Sequence, residues 1–316
     1  MSSPAIKTPS GIQPRSRWSR TLDQSFIWLT RLFALAIAGT LIWIAIEVAI
    51  EATPAIRQFG FKFLTTTAWN PVANQYGALP MIYGTVVTSA IALLIAVPVG
   101  LGVSIFLSED YLPPKIQVAF VFLVELLAAI PSVVYGLWGI FVLIPLLRGL
   151  GQGLNAYFGW LPIFSTPPSG PGMLPAGVIL SIMILPTIAA ISRDALISLP
   201  SDLRQAAVGL GATRWETILK VLLPAAFSGI IGAVMLALGR AIGETMAVTM
   251  VIGNSNNISP SIFAPANTIP SLLANQFAEA SGIQVAALMY AALILFALTL
   301  LVNILAQLLV QRVQQI

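Results

Sequence analysis

The amino-acid sequence predicts an all-α integral membrane protein with six transmembrane helices. The chain has 316 residues, of which 58% are hydrophobic and only 8% are charged. An ordinary soluble domain is about 25% charged, so a soluble fold of this composition could not cover its surface with polar groups. Several apolar stretches also reach the roughly 20 residues that an α-helix needs to cross a bilayer.

The predicted spans are separated by polar or Gly- and Pro-rich connections. In chain order they lie at Phe26–Ile46, Met81–Leu107, Val118–Leu147, Met173–Ile191, Leu222–Ile252 and Val285–Val310. Residues 1–24 are polar, basic and rich in Ser and Pro, which predicts a flexible cytoplasmic tail. Residues 25–80 hold the first span and its outer connection, and residues 81–316 hold the remaining five spans with a loop at 198–220.

Lysine and arginine are distributed unevenly between the two sides of the predicted bundle. Arg57, Lys62 and Arg148 lie in connections on one side, whereas most of the others lie on the opposite side or at its edge. The positive-inside rule makes the second side cytoplasmic, so both termini of this multi-pass protein are predicted to be cytoplasmic. The basic residues are spread among the connections rather than clustered in a folded module, which predicts no binding of nucleic acid.

Three absences narrow the chemistry. The sequence has no cysteine, which excludes disulfides, thiolate metal sites and cysteine nucleophiles, and no histidine, the commonest general base and metal ligand. It has no Gly-Lys pair, so the nucleotide-binding loop G-x-x-x-x-G-K-[ST] is missing. We therefore predict no catalytic residue, metal site or cofactor on this chain, and a membrane hydrolase is disfavoured.

The loop between the fourth and fifth spans is predicted to form two short helices joined by a tight turn. Ser201 is expected to cap the first helix, and Gly209 and Gly211 permit a left-handed exit from it. Thr213 and Glu216 fit the capping box T-x-x-E at the start of the second helix. Such signals occur in any interfacial helix-turn-helix, so on their own they indicate an ordinary cytoplasmic loop.

The order of residues in this loop resembles the cytoplasmic loop of ABC importer permeases. The family pattern is E-A-A, three residues, G, nine residues, I, one residue and L-P, and this chain has QAAVGLGATRWETILKVLLP from Gln205. Gly209 falls two residues before the family spacing, and Gly211 lies near the usual place. Gln205 stands where the family usually has Glu. Because an amide can still donate and accept hydrogen bonds, we expect the loop still to bind the protein on which it docks, but without the ionic contact.

Three further segments resemble the C-type transmembrane subunits of phosphate ABC importers. They are FLTTTAWNP, ELLAAIPSVVYGLWG and GRAIGETMAVTMVIGN, which begin at Phe63, Glu125 and Gly239. The resemblance extends from about Phe59 to Asn254. It implies the ABC type I importer permease fold, in a bacterial cell inner (plasma) membrane, with the loop forming a cytoplasmic coupling helix.

The resemblance also implies partners. They are a sister permease subunit that completes a heterodimer, two ATPase subunits that bind ATP and Mg, and an external phosphate-binding protein. The residues that would couple this chain to the ATPase, by seating the coupling helix in a groove of that subunit, are Gln205, Ala206, Ala207, Gly209 and Gly211.

Arg240 and Glu244 interrupt an almost wholly apolar stretch of the fifth span. A charge at the bilayer centre costs at least about 2.5 to 3.5 kcal/mol on insertion scales, so such residues face a bundle interior or a water-filled path. Being four residues apart, the two are predicted to pair on one helical face. We expect that face to lie against another helix, because it is also predicted to carry the small residues Gly229, Ala233 and Ala237.

Two interpretations of this pair are possible from the residues. One is a neutralised ion pair that locks helices together; the other is a phosphate site, in which Arg240 offers its guanidinium to the oxyanion and Glu244 holds it at other times. The resemblance favours the second. Thr245 and Thr249 would add hydroxyl donors unless they bond back to their own helix, and Glu125 is predicted either to hydrogen-bond within the bundle or to face Arg240.

The predicted function is that of the transmembrane subunit of an ATP-driven phosphate importer, with phosphate passing Arg240. The alternative from a different class is a stand-alone ion-coupled secondary transporter that uses Arg240 and Glu244 as a relay. A permease for another oxyanion, such as sulfate or molybdate, also stays open, because a guanidinium does not by itself distinguish these anions.

Overall fold

The structure is a computed structural model that describes residues 17–109 and 111–314. Most of the predicted tail at residues 1–24 lies outside the described residues, and helix α1 (Arg17–Phe59) begins within its remainder, earlier than the predicted start of the first span. The chain divides into two units, Met1–Ile50 and Glu51–Ile316. In the first, the described residues are helical with mostly exposed apolar side chains; the second contains all the elements described below.

The described chain is helical apart from one two-stranded ribbon and its connections. In chain order the elements after α1 are α2 (Lys62–Thr65), β1 (Trp69–Asn70), β2 (Gln75–Tyr76), α3 (Leu79–Ser108), α4 (Pro114–Ala129), α5 (Ser132–Trp138), a π-helical turn (Gly139–Leu143), α6 (Ile144–Phe158), a 3-10 turn (Pro162–Phe164), α7 (Met173–Ile197), α8 (Ser201–Gly209), α9 (Arg214–Thr217), a second π-helical turn (Ile218–Leu222), α10 (Leu223–Ala225), α11 (Phe227–Gly243), α12 (Met246–Val251), α13 (Ile269–Gln276), a 3-10 turn (Phe277–Glu279) and α14 (Ile283–Gln314).

The number of spans agrees with the prediction. Across the described residues, five helical stretches are long and apolar enough to cross a membrane, and the bent pair Arg214–Ala225 and Phe227–Gly243 is a sixth candidate. The second, fourth and sixth predicted spans correspond to α3, α7 and α14. Pro98 and Pro186 lie inside α3 and α7 without ending them.

The third predicted span is wrong as a single helix, because the chain breaks at Pro131. Ile130 is extended, with ψ of 127°, a conformation favoured before a proline because the proline ring crowds the helical form of the preceding residue. The apolar helix long enough to span is Ser132–Phe158. The preceding α4 has 16 residues, fewer than a perpendicular span requires.

The fifth predicted span is also interrupted, in two places. At its start, Arg214–Ala225 and Phe227–Gly243 meet at an angle of 70°. Near its other end, Glu244 has an extended backbone (φ −68°, ψ 125°), so α11 stops at Gly243 and α12 begins at Met246. The second break falls at the predicted site and separates Arg240 from the residues that follow it.

Three connecting segments, residues 60–78, 159–172 and 253–282, pack over one end of the helices, which we call the loop end. Phe63 stacks on Tyr290 of α14 with ring centroids 4.5 Å apart, and the Trp69 indole N–H donates to Gln276 Oε1 at 2.7 Å. In the ribbon, Trp69 pairs with Tyr76 in antiparallel register. The outer aromatic segment is therefore part of a packed layer.

The opposite end carries residues 198–226, with α8, α9 and α10, and we call it the basic end. Its apolar contacts run through Leu196, Ile218, Leu222 and Ile230, all of them buried. Between the two ends, the main core joins buried side chains of α3, α5, α7, α11 and α12. Helix α11, which carries Arg240, is thus packed against α3 and α7.

Candidate functional site

Helix α11 has two neighbouring strips of side chains with opposite environments. Ala233, Ala237 and Ala241 are buried against the core. The residue before each of these alanines is exposed. Together with Ser228, these residues form an exposed strip with four-residue spacing, made of Ser228, Gly232, Leu236 and Arg240. The prediction that Arg240 shares the small-residue face was therefore wrong: the small residues pack within the chain, and Arg240 faces outwards.

The predicted ion pair between Arg240 and Glu244 is not formed. In the described part of the chain Arg240 makes no ion pair, and the Glu244 carboxylate accepts a hydrogen bond from the Ala247 N–H at 3.3 Å. The physical reason is the extended backbone at Glu244, which removes the helical spacing on which an i,i+4 pair depends. Glu244 instead stabilises the first turn of α12, where a negative charge is favourable.

The two threonines bond to their own backbone, which was the alternative to their acting as free donors. Thr245 donates its hydroxyl proton to the Gly243 carbonyl at 3.2 Å, and Thr249 donates to the Thr245 carbonyl at 2.7 Å. Because each hydroxyl has one proton, the oxygens keep only their accepting capacity in this arrangement.

The two motifs that begin at Glu125 and Gly239 pack against each other. A Cβ atom on Gly136 of α5 would lie 2.5 Å from Met250 Sδ and 3.3 Å from Ala247 Cα, so a larger residue here would require the Met250 side chain and α12 to shift. The adjacent Tyr135 donates to the Leu127 carbonyl at 2.8 Å, across the break at Pro131. The two motifs therefore build one packed contact between α5 and α12.

Glu125 does not face Arg240 but lines a narrow cleft between α4 and α7 together with Arg193. Arg193 Nε is buried and has no hydrogen-bond partner in the described chain. This juxtaposition of Glu125 and Arg193 was not predicted from the sequence. The signal that could have found it is its position in α7, where it follows a long apolar run that reaches into the core.

The exposed strip of α11 borders a groove of about 640 Å³ towards the basic end. Ser228, Gly232 and Met235 of α11 form one wall, and Asn303 and Gln307 of α14 are on the other. The side-chain amides of these last two residues make no hydrogen bond with the described residues. Amides carry both hydrogen-bond donors and acceptors, so the groove offers polar groups on the basic-end side of Arg240.

At the basic end, α8 and the turn that follows it expose most of the residues predicted to couple the chain to a partner. Gln205, Ala206, Gly209 and Gly211 are exposed, and Ala207 is buried. They stand next to exposed apolar side chains, namely Leu203, Val208, Leu210 and Trp215. Four of the five predicted coupling residues are therefore on a free surface, and Ala207 seats the helix on the chain itself.

The helix signals around this turn are confirmed except at Ser201. Pro200 occupies the N-cap position and Ser201 is the first helical residue. Gly211 has φ of +88° and makes the left-handed exit, whereas Gly209 ends the helix with ordinary φ. Arg204 of α8 turns inwards to form an ion pair with Glu109, a contact that the sequence analysis did not identify.

The capping box predicted at Thr213 is present. Thr213 N–H donates to Glu216 Oε2 at 3.0 Å, and Glu216 N–H donates to Thr213 Oγ1 at 3.3 Å. These bonds to the backbone and hydroxyl of Thr213, with a smaller contribution from Lys220, lower the pKa of Glu216 to about 2. Glu216 therefore stays ionised at any physiological pH.

Comparison with known protein families gives a match over most of the chain. Residues 96–315 match the family described as binding-protein-dependent transport system inner membrane component. The chain is 45% identical over 316 residues to the phosphate transport system permease protein PstC of Mesorhizobium japonicum, covering 98% of this chain and 96% of that protein. It is 44% identical over 302 residues to PstC of Haemophilus influenzae, covering 93% and 95%.

Solved structures show the same fold at lower sequence identity. A chain of a bacterial alginate ABC transporter, solved with an alginate-bound periplasmic protein, has a TM-score of 0.60 at 19% identity, covering 94% of this chain and 98% of that one. A chain of the inward-facing MetNI methionine ABC transporter has a TM-score of 0.53 at 19% identity, covering 78% and 99%.

Proposed function

Because the chain belongs to the family of binding-protein-dependent transport system inner membrane components, we propose that it is the transmembrane subunit of an ATP-driven phosphate importer. It forms half of the translocation path and is coupled to a separate ATPase subunit. The proposed substrate rests on the relatives at 44 to 45% identity that are named phosphate permeases. The structural observation that carries the proposal is Arg240, a cation without an ion-pair partner in the described chain, on an exposed strip of a membrane helix.

The exposed strip argues for a second membrane subunit. Exposure of the Arg240 guanidinium to lipid tails is energetically costly. The same side of the helix also has room for a close neighbour, because nothing lies within 4 Å of the Cβ positions of Gly232, Gly239 and Gly243. A sister permease that packs on this side encloses Arg240 in an aqueous path between the two chains. We place the heterodimer in a bacterial inner membrane, with both termini and the basic end cytoplasmic.

The chemistry of the path follows from the side chains along it. A guanidinium donates two parallel hydrogen bonds to a phosphate, and since no carboxylate among the described residues pairs with Arg240, the anion meets it directly. The neutral amides of Asn303 and Gln307 then provide weaker contacts along the groove towards the basic end. A path with one strong and several weak contacts lets the anion bind and still leave.

Energy enters from outside this chain, which is a non-catalytic subunit. The exposed face of α8 and the turn after it dock on an ATPase subunit that holds ATP and Mg, one of two in the complex. The docking residues are Gln205, Ala206, Gly209 and Gly211. An external phosphate-binding protein delivers the substrate at the loop end. Nucleotide binding draws the basic ends of the two permeases together and opens the path outwards. Hydrolysis and product release return the path to its inward-facing state.

The proposal is tested by purifying the chain from its native host and reconstituting it with whatever copurifies. We expect a second permease and an ATPase to copurify, and phosphate uptake that needs both ATP and the binding protein. Uptake by the chain alone, driven by an ion gradient, would instead identify a secondary transporter. Competition with sulfate and molybdate for stimulation of the ATPase decides the substrate, and stimulation by either anion in place of phosphate would contradict the assignment.

A further inference from the structure

Arg204 of α8 and Glu109, the residue that ends α3, form an ion pair within the chain. The Nε and Nη2 atoms of Arg204 donate to Glu109 Oε1 at 3.3 and 3.0 Å. The same Nη2 also donates to the Leu196 carbonyl in the last turn of α7, at 3.1 Å. One guanidinium thus ties the helix that carries the coupling residues to the ends of two membrane helices.

This pair is more shielded from solvent than the neighbouring pair of Lys220 and Glu216. The side chains of Arg204 and Glu109 are 27% and 20% exposed, whereas those of Lys220 and Glu216 are 74% and 41% exposed. Exposed pairs contribute little because water and salt screen them, while partly buried hydrogen bonds between charged groups are stronger. Water and salt therefore weaken the Arg204 contact less than the Lys220 contact.

The two helices that Arg204 holds are connected to Arg240 through the core. Ala92 and Ala96 of α3 share the main buried cluster with Ile184 and Ile188 of α7. Ala237 and Ala241, on either side of Arg240 in α11, belong to the same cluster. Because protein interiors are close-packed and transmit strain, a shift of α3 and α7 at the basic end moves the strip that carries Arg240.

The remaining contacts of α8 are few and apolar. Ala207 is its one buried residue in the described chain, and the chain then leaves through the left-handed turn at Gly211. The apolar cluster at this end is formed by residues outside α8, namely Leu196 before it and Ile218 and Leu222 after it. Among the described residues, Arg204 is consequently the side chain that attaches α8 to the membrane helices by hydrogen bonds.

We propose that the Glu109–Arg204 pair, with the Leu196 carbonyl, is a mechanical clamp that makes α8, α3 and α7 move as one body when the ATPase pulls on α8. The inference rests on the proposed function for its driving force. Arg204 and Glu109 act here as positioning residues: neither touches the path, and their removal separates movement of the coupling helix from movement of Arg240.

The first test is the ratio of phosphate imported to ATP hydrolysed in proteoliposomes supplied with loaded binding protein. Glu109→Gln and Arg204→Gln are expected to assemble and hydrolyse ATP but to lower this ratio roughly five- to tenfold, a usual size for coupling between sites. The double variant Glu109→Arg with Arg204→Glu should recover part of it. Lys220→Gln, which breaks an exposed pair nearby, should leave the ratio unchanged.

The second test does not depend on the substrate. The chain has no cysteine, so Ser201→Cys in α8 and Gly102→Cys in α3 allow two spin labels whose separation is measured with and without nucleotide. We expect a constant separation in the otherwise unaltered chain and a changing one after Glu109→Gln. A separation that changes equally in both, or an unaltered import ratio in both Gln variants, overturns the clamp. If labels behave as expected while no phosphate is imported, the clamp stands and the proposed function fails.

Discussion

Gly84 of α3 lies directly against the backbone carbonyl oxygen of Asn267, in the connection that precedes α13, and leaves no room for a side chain between them. The next residue, Thr85, accepts the Ile269 N–H on its hydroxyl at 3.1 Å. Since the neighbouring atom belongs to the backbone, it cannot turn away as the end of a side chain could. The start of α3 and the loop end are thus held at a fixed separation.

Gly84→Ala is expected to destabilise the protein by about 1 to 3 kcal/mol, the usual cost of overpacking a fitted contact. Thermal unfolding of the purified complex in detergent measures the effect. Gly102→Ala is the matched control, because it lies in the same helix with nothing within 4 Å of its Cβ position. Equal melting temperatures for the two variants would show that the Asn267 segment yields freely.

Arg240→Gln is expected to lower phosphate uptake by about 10- to 150-fold, which corresponds to losing roughly 1.5 to 3 kcal/mol of hydrogen bonding to a charged group. Assembly should be unchanged. Arg240 makes no ion pair in the described chain, so its replacement leaves no carboxylate there without a partner. The measurement is uptake of labelled phosphate into vesicles, normalised to the copurified ATPase.

Arg240→Lys tests whether the positive charge alone is sufficient or whether the two parallel donors of the guanidinium are needed. It keeps a cation but cannot bind a phosphate bidentately, so uptake should lie between that of the unaltered chain and that of Arg240→Gln. Uptake at the unaltered level in Arg240→Gln would remove this residue from the path and leave the groove beside α14 as the route to examine.

Local signals in the sequence predicted local structure well. The capping box depends on four consecutive residues, Thr213 to Glu216, and forms as expected. The left-handed turn at Gly211 is equally local. Spans two, four and six were also predictable, because an unbroken apolar stretch of sufficient length has few alternatives in a membrane.

The errors arose where several local preferences compete or where distant residues meet. Pro98 is accommodated inside α3, whereas Pro131 separates α4 from α5, and nothing in either short motif distinguishes the two outcomes. The spacing of Arg240 and Glu244 predicted a pair only on the assumption of an unbroken helix. Arg204 and Glu109 are 95 positions apart, so their contact follows from the packing of α3 and α7 and not from any motif.

The depressed pKa of Glu216 predicts how the turn before α9 responds to acid. Its ordinary pKa of 4.5 falls to about 2 in the folded chain, so the ionised form is the one that folding favours. The stabilisation is complete above pH 4.5 and is lost as the pH falls through about 2. Amide exchange in Arg214–Leu222 should therefore show constant protection from pH 8 to about 5 and a decline below it.

Glu216→Gln serves as the matched variant for this measurement. Its amide oxygen can still accept from the Thr213 N–H, but it has no charge to lose, so its protection should not decline between about pH 4.5 and 2 for this reason. The same decline in both proteins would assign the acid response to another group.

Gly209→Asp is expected to uncouple ATP hydrolysis from transport while leaving the fold intact. Gly209 ends α8 with nothing within 4 Å of its Cβ position, so the chain itself has room for the new side chain, and the change is felt only by a partner that covers this surface. A carboxylate there adds bulk and an unpaired charge to the docked face, whose burial is costly. Gly209→Ala, which adds one methyl group, should transport nearly normally. ATPase stimulation by the loaded binding protein and phosphate uptake are measured together: hydrolysis retained with uptake lost supports docking through α8, whereas a normal ratio in Gly209→Asp places the ATPase contact elsewhere.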